Sequence, residues 1–238
     1  MHRLVETLKK TRIFRSRNDD IVHFLHIGKC AGTAIKDLAT QINAIPHGPR
    51  IIGHGHSKKL ADLPCDSKYF FSIRDPITRY YSAFYMRKSK EQPRLYREWS
   101  EGERNAYSTF TEANDLAESL FVDSDLGTKA FFAMQSIGHL KSQHTWFNLN
   151  EIINTRPPIC IVRREKIDLD IAYLLKSLNI DDKLSLPADP VRSHRNNYDK
   201  SPPLSQKAKK NLEVWYSIDI EYYKKLDSWI DFRQRHVG

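Results

Sequence analysis

His26-Ile27-Gly28-Lys29-Cys30-Ala31-Gly32-Thr33-Ala34 sets small residues, a lysine and a hydroxyl between an apolar run and a stretch of helical spacing. Backbone N–H groups at a helix start, with the helix dipole behind them, attract oxyanions. Ala31 and Gly32 let an oxyanion approach the backbone, Lys29 adds a point charge and Thr33 a hydroxyl donor. The order differs from the magnesium-nucleotide loop G-x-x-x-x-G-K-[ST], where lysine follows the second glycine. Here Lys29 precedes the turn and Thr33 directly follows Gly32. An ordinary glycine turn with a solvated lysine has the same composition, so this segment alone leaves both readings open.

A second segment, Arg74-Asp75-Pro76-Ile77-Thr78-Arg79-Tyr80-Tyr81-Ser82-Ala83-Phe84, follows an apolar run. Arg74 falls at the carboxyl end of that run, where open α/β sheets bind ligands. Asp75 and Pro76 are a favoured N-cap and first helical residue. Arg79 and Ser82, three apart, share a helix face. An arginine fork with one hydroxyl suits a dianionic phosphate. A capped helix with Arg74 paired to Asp75 accounts for Asp75 and Pro76 only. Gly53-His54-Gly55-His56 is a third feature. Two histidines two apart on a loop lack the further ligands of a zinc site, so no metal is expected.

Strands and helices must position these residues. Ile21–Ile27, Arg50–Gly53, Tyr69–Ile73 and Ile159–Val162 read as strands: short, apolar, β-branched or aromatic. Helical spacing is predicted over 33–42, from Asp75 through Tyr85, over 109–122, 128–137 and 166–178, and in one or two helices over 204–235. Residues 88–107 are polar and read as a surface insertion; 187–203, with four prolines, read as a loop. Alternating strands and helices predict an α/β fold, one domain over residues 1–238, with a central parallel sheet covered by helices on both faces. Residues 1–20 read as a basic N-terminal arm.

The 238 residues suffice for one such core. Hydrophobic residues make up 40% of the chain, which argues against disorder. The net charge of +9 favours anionic partners. The basic residues are scattered and no nucleic-acid motif appears, so nucleic acid is not an expected partner. No apolar run is long enough to span a membrane. The cysteines, Cys30, Cys65 and Cys160, are odd in number and unpatterned, which predicts free thiols in a reducing compartment. The expected location is cytoplasmic if the chain is complete, and the Golgi lumen if it has been trimmed of a membrane anchor.

Taken together, the two phosphate segments resemble the sulfotransferase superfamily. The turn is similar to its 5′-phosphosulfate loop, PK-x-GT or PK-x-AGT-[ST], with Gly28 in place of the usual Pro and Ala34 where many members carry Ser or Thr. Arg74 to Phe84 matches RDP-x-x-R-x-x-S-x-F at every fixed position. The resemblance is strong over about residues 21–85. It implies 3′-phosphoadenosine 5′-phosphosulfate (PAPS) as donor and adenosine 3′,5′-bisphosphate as product. Lys29, Cys30, Ala31, Gly32, Thr33 and Ala34 would bind the 5′-phosphosulfate, and Arg74 and Ser82 the 3′-phosphate. The Gly-His-Gly-His run resembles the carbohydrate branch, heparan sulfate 2-O-sulfotransferase in particular. That likeness implies His56 as catalytic base, His54 as its neighbour, Lys29 as a catalytic cation and an anionic carbohydrate acceptor. Arg163-Arg164-Glu165 is similar to an [RK]-x-E segment of the branch. His194-Arg195-Asn196-Asn197 resembles a loop that closes over the nucleotide, with Arg195 on a phosphate. Asp219, Tyr222 and Tyr223 have familial spacing and read as packing. Phenol and steroid sulfotransferases share both phosphate motifs, so a small alcohol or lipid acceptor stays open. From other classes, a kinase or ATPase and a non-catalytic polyanion-binding module stay open. The oligomeric state is not legible.

Overall fold

A computed structural model of the chain describes residues 21–93, 95–181, 184, 186 and 201–236. Among them, the strands β1 (Ile21–Leu25), β2 (Arg50–Gly53), β3 (Lys68–Ile73) and β4 (Cys160–Arg163) form one sheet in the order β2-β1-β3-β4. Each neighbouring pair is parallel. The helices are α1 (Gly32–Asn43), α2 (Pro76–Lys88), α3 (Glu101–Thr109), α4 (Ala113–Ser119), α5 (Asp125–Ser136), α6 (Ile167–Ser177), α7 (Gln206–Trp215) and α8 (Ser217–His236). The expected α/β architecture, a parallel sheet flanked by helices, is what the chain adopts.

Side chains of a strand alternate between faces, and both faces are apolar here. Val22, Phe24, Ile51, Phe70 and Val162 pack against Ile35, Leu38 and Ile42 of α1 and Ile171 and Leu174 of α6. Leu25, Tyr69, Phe71, Ile73 and Ile161 pack against Leu226 and Ile230 of α8 and against Phe147 and Ile152. A third apolar cluster joins α2, α3, α4, α5 and α7 through residues such as Tyr80, Phe84, Tyr107, Leu116, Met134 and Leu212.

Residues 88–107 are not merely a surface insertion. They contain most of α3, whose Ala106 and Tyr107 are buried. Ser100 caps it: its hydroxyl accepts from the Glu103 N–H at 3.2 Å, while the Glu103 carboxylate accepts from the Ser100 N–H at 3.0 Å. The same carboxylate takes Arg87 in a buried two-pronged pair at 2.8 and 2.7 Å. Hydropathy reads these residues as solvated because it cannot see that each charge satisfies the other. The helix expected over 109–122 is shorter, confined to α4, and that over 204–235 divides at Tyr216.

The chain leaves β1 through α1 to reach β2 on one side, and β3 lies on the other. The carboxyl ends of β1 and β3 therefore flank a topological switch point, the place where such sheets bind ligands.

Candidate active site

The turn after β1 departs from ordinary backbone geometry. Lys29 and Ala31 have φ of 69° and 64°. Left-handed backbone costs a non-glycine residue on the order of 1–2 kcal/mol, so neighbours must hold it. Arg79, buried in α2, donates from Nε to the Gly28 carbonyl at 2.9 Å and from Nη1 to the Lys141 carbonyl at 2.8 Å. An Arg74 Nη1 donates to the Lys29 carbonyl at 3.4 Å. Gly32 is fixed by packing, since a Cβ there would lie 1.8 Å from Nε2 of His26. Cys30 is buried, and burial pushes its thiol up to about 11, so it acts as a small apolar filler. Ala34 is buried and Thr33 half-buried on the first turn of α1. No side chain caps α1, which leaves the dipole of its N-terminus directed at the turn's mouth.

Lys29 is half-buried beside this turn. Burial, and next the Arg74 charge, bring its ammonium down to about 8. Arg74 extends from the end of β3, its Nε donating to Thr78 Oγ1 at 3.2 Å. Its backbone is clamped by Gln143: the Gln143 amide donates to the Arg74 carbonyl at 2.7 Å and accepts from the Arg74 N–H at 3.3 Å. Gln143 is set in turn by Asp219, which accepts from the backbone N–H of Gln143 at 2.8 Å and of His144 at 2.9 Å. Asp75 caps α2 by accepting from the Thr78 N–H at 2.8 Å. Ser82 is buried two turns along that helix.

His56 stands against the turn. Its Nδ1 lies 2.9 Å from the His26 carbonyl. A carbonyl only accepts, so Nδ1 carries the proton and Nε2 keeps its lone pair. Trp146 fixes the loop by donating to the His56 carbonyl at 2.7 Å. Burial is the main cause that lowers the His56 pKa below the usual histidine value, opposed by the hydrogen bond to His26. His54 does not join it. It stacks on His23, with ring nitrogens 2.9 Å apart.

Three functional candidates escaped the sequence reading. His26 lies with its ring centre 4.1 Å from that of His56, and His139 meets His56 edge-on at 5.5 Å. Both are held neutral, down to about 3, first by burial and then by the charge His56 would carry. Gln143 is the third. His26 sits inside the turn motif, where a bulky residue six before Gly32 was the available signal. His139 and Gln143 lie in short turns that carry no pattern. Among the segments likened to the family, Glu165 accepts from the Asp75 N–H at 3.0 Å and from Tyr223 Oη at 2.9 Å. Arg163 is fully buried on Asp170, at 2.7 Å, and Asp227, at 2.6 Å, tying β4 to α6 and α8. Arg195 and the 1–20 arm lie outside the described residues.

A model of the sulfotransferase family matches residues 11–226. The chain belongs to the sulfotransferase family. The match takes in both phosphate segments, His56 and most of the helices that brace them. No curated protein and no solved structure matches the chain. Membership of the family supports sulfuryl transfer as the general activity of the chain. No group of side chains among the described residues could hold a metal ion, and no described helix is long and apolar enough to cross a membrane.

Proposed function

We propose that this sulfotransferase draws its sulfuryl group from PAPS and delivers it to a carbohydrate hydroxyl, with His56 as the general base. The observation that carries the reading is the His56–His26 carbonyl bond, which puts the proton on Nδ1 and leaves the lone pair on Nε2, in a ring whose Cε1 would lie 3.7 Å from a Cβ on Gly28 of the turn. The fit to the donor rests on the chain's own groups. Lys29 and Arg74 meet at the uncapped start of α1, where the Arg74 guanidinium donates to the Lys29 carbonyl, and Nη2 of Arg79 is buried without a hydrogen-bond partner among the described residues. A phosphosulfate is the kind of dianionic ligand that such a set accepts.

Turn residues 30–34 would hold the 5′-phosphosulfate, and Arg74 and Ser82 the 3′-phosphate. His56 takes the acceptor hydroxyl's proton at Nε2 while the acceptor oxygen bonds to sulfur and the sulfur–phosphate oxygen bond breaks. Lys29 stabilises the negative charge left on that bridging oxygen, an effect worth on the order of 10²–10³ in rate. The carbohydrate assignment is supported by the Gly-His-Gly-His likeness and by the chain's +9 charge, which suits an anionic glycan.

Calorimetric titration with adenosine 3′,5′-bisphosphate, 5′-AMP and Mg-ATP tests the donor. The bisphosphate should bind most tightly. Ser82→Ala and Arg74→Ala should each cost it roughly 10-fold or more while changing 5′-AMP little. Equal binding of 5′-AMP and the bisphosphate by the wild type rejects the reading. A panel of sulfate-free glycans, with phenols and sterols as controls, identifies the acceptor class.

A further inference from the structure

We propose that His139 is a further donor-binding residue, placing a ring N–H on the sulfuryl group of the bound nucleotide, and that Gly28 is the residue that makes room for it. The proposal rests on the reading of the site as a PAPS site.

Several independent contacts put His139 there. Its turn, Gly138–Leu140, is held to the phosphate-binding turn by one side chain, since Arg79 bridges the Gly28 and Lys141 carbonyls. Tyr216 Oη donates to the Leu140 carbonyl at 2.6 Å and anchors the same turn from the break between α7 and α8. The ring is half-buried, and neither of its nitrogens has a hydrogen-bond partner among the described residues. A Cβ built on Gly28 would lie 3.0 Å from His139 Cδ2 and 3.7 Å from His56 Cε1. The two imidazoles thus flank one glycine, immediately before Lys29.

The chemistry follows from that position. A group held at the 5′ end of the donor and presented to His56 must lie in the space bordered by Lys29 and His56, and His139 borders it too. Burial first, and then the charges of His56, Lys29, Arg79 and Arg87, disfavour a proton on His139, so the ring stays neutral and has one N–H to give. A sulfuryl oxygen only accepts. The familial proline at position 28 would carry a Cβ into the His139 ring, whose backbone is pinned on both sides. Glycine here is therefore coupled to histidine at 139.

The test compares affinities for PAPS and adenosine 3′,5′-bisphosphate, which differ by the sulfuryl group alone, by calorimetry. His139→Ala should weaken PAPS about 10-fold or more and leave the bisphosphate within about twofold. His139→Gln, which keeps an N–H donor, should recover most of that loss. Gly28→Ala should weaken PAPS selectively, and should add nothing in the His139→Ala background. Should His139→Ala fold poorly, His139→Gln and Gly28→Ala carry the comparison. Equal weakening of both ligands makes His139 a prop for the turn and overturns the proposal, as does no change in either. A wild type that binds neither nucleotide overturns the PAPS reading itself. A wild type that binds both, with a His139→Ala variant that does not discriminate between them, overturns only the assignment of His139.

Discussion

Gln143→Leu is the substitution that most directly tests whether Arg74, the proposed 3′-phosphate contact, is placed by packing at a distance. Gln143 is 2% exposed, and its amide supplies both partners of the Arg74 backbone, at 2.7 and 3.3 Å. Leucine keeps the volume and removes both bonds. An unsatisfied buried backbone group costs about 1–3 kcal/mol. Arg74 is only half-buried, so water can reach part of the gap, and the 3.3 Å bond is the weaker of the two. The lower half of that range applies to each group, giving about 2–4 kcal/mol in total. For a chain of this size that is a fall in Tm of about 4–16 °C. The functional consequence is separate from stability. Arg74 would sample more positions, and the preference for adenosine 3′,5′-bisphosphate over 5′-AMP should narrow about 3- to 10-fold. Thermal unfolding and paired calorimetric titrations below the lowered Tm measure the two effects. A Tm within about 2 °C of wild type together with an unchanged preference would show that β3 and the Asp75 cap place Arg74 without Gln143.

His56→Ala should lower turnover at least ~10²-fold with bisphosphate affinity nearly unchanged, and in the wild type the acid limb of turnover should fall below pH 6.5, because burial lowers the His56 pKa. Full activity in the variant would move the base elsewhere. Bisphosphate affinity should hold up to about pH 8 and then fall, approaching tenfold per pH unit, because Lys29 loses its proton near 8 in the free protein and an anion binds its charged form. Lys29→Arg should carry the plateau through pH 10; a wild-type profile already flat to pH 10 would refute the assignment.

What the sequence revealed divides along the distance between partners. The turn after β1 and the opening of α2 were legible because their determinants are local. Asp75 and Thr78, three residues apart, make the cap that their types predict, and β1 and β3 are short, mostly apolar runs, as strands buried on both faces are. The clamp on Arg74 was not legible, because Gln143 lies 69 residues away and is placed by Asp219 a further 76 residues on. His54 shows a different limit. In a continuing strand, residues two apart share a face, which invites reading His54 and His56 as one unit. The strand ends at Gly53, with the His54 N–H still on the Phe24 carbonyl at 3.0 Å, and a turn follows. The two rings therefore find different partners, His23 for one and the His26 carbonyl for the other.

The charges around the turn explain why this arrangement suits an anion rather than merely tolerating one. Lys29 is discharged more easily because it is buried and, next, because Arg74 stands near it. His26 and His139 are kept neutral in part by the same crowding of positive charge, from Lys36 in one case and from Lys29 and Arg79 in the other. The left-handed Lys29 and Ala31 add backbone strain at the same place. Each of these costs falls on the ligand-free protein, and a dianion in the turn reverses the electrostatic ones together: the ammonium keeps its proton and the dipole of α1 is capped. Strain of this kind persists where the surroundings over-determine it, and here Arg79 does so by joining α2, the Gly28 carbonyl and the His139 turn through one guanidinium. The imidazole pKa values are lowered first by burial, which a dianion in the turn does not undo, so His56 can retain the lone pair that the proposed reaction needs to accept a proton.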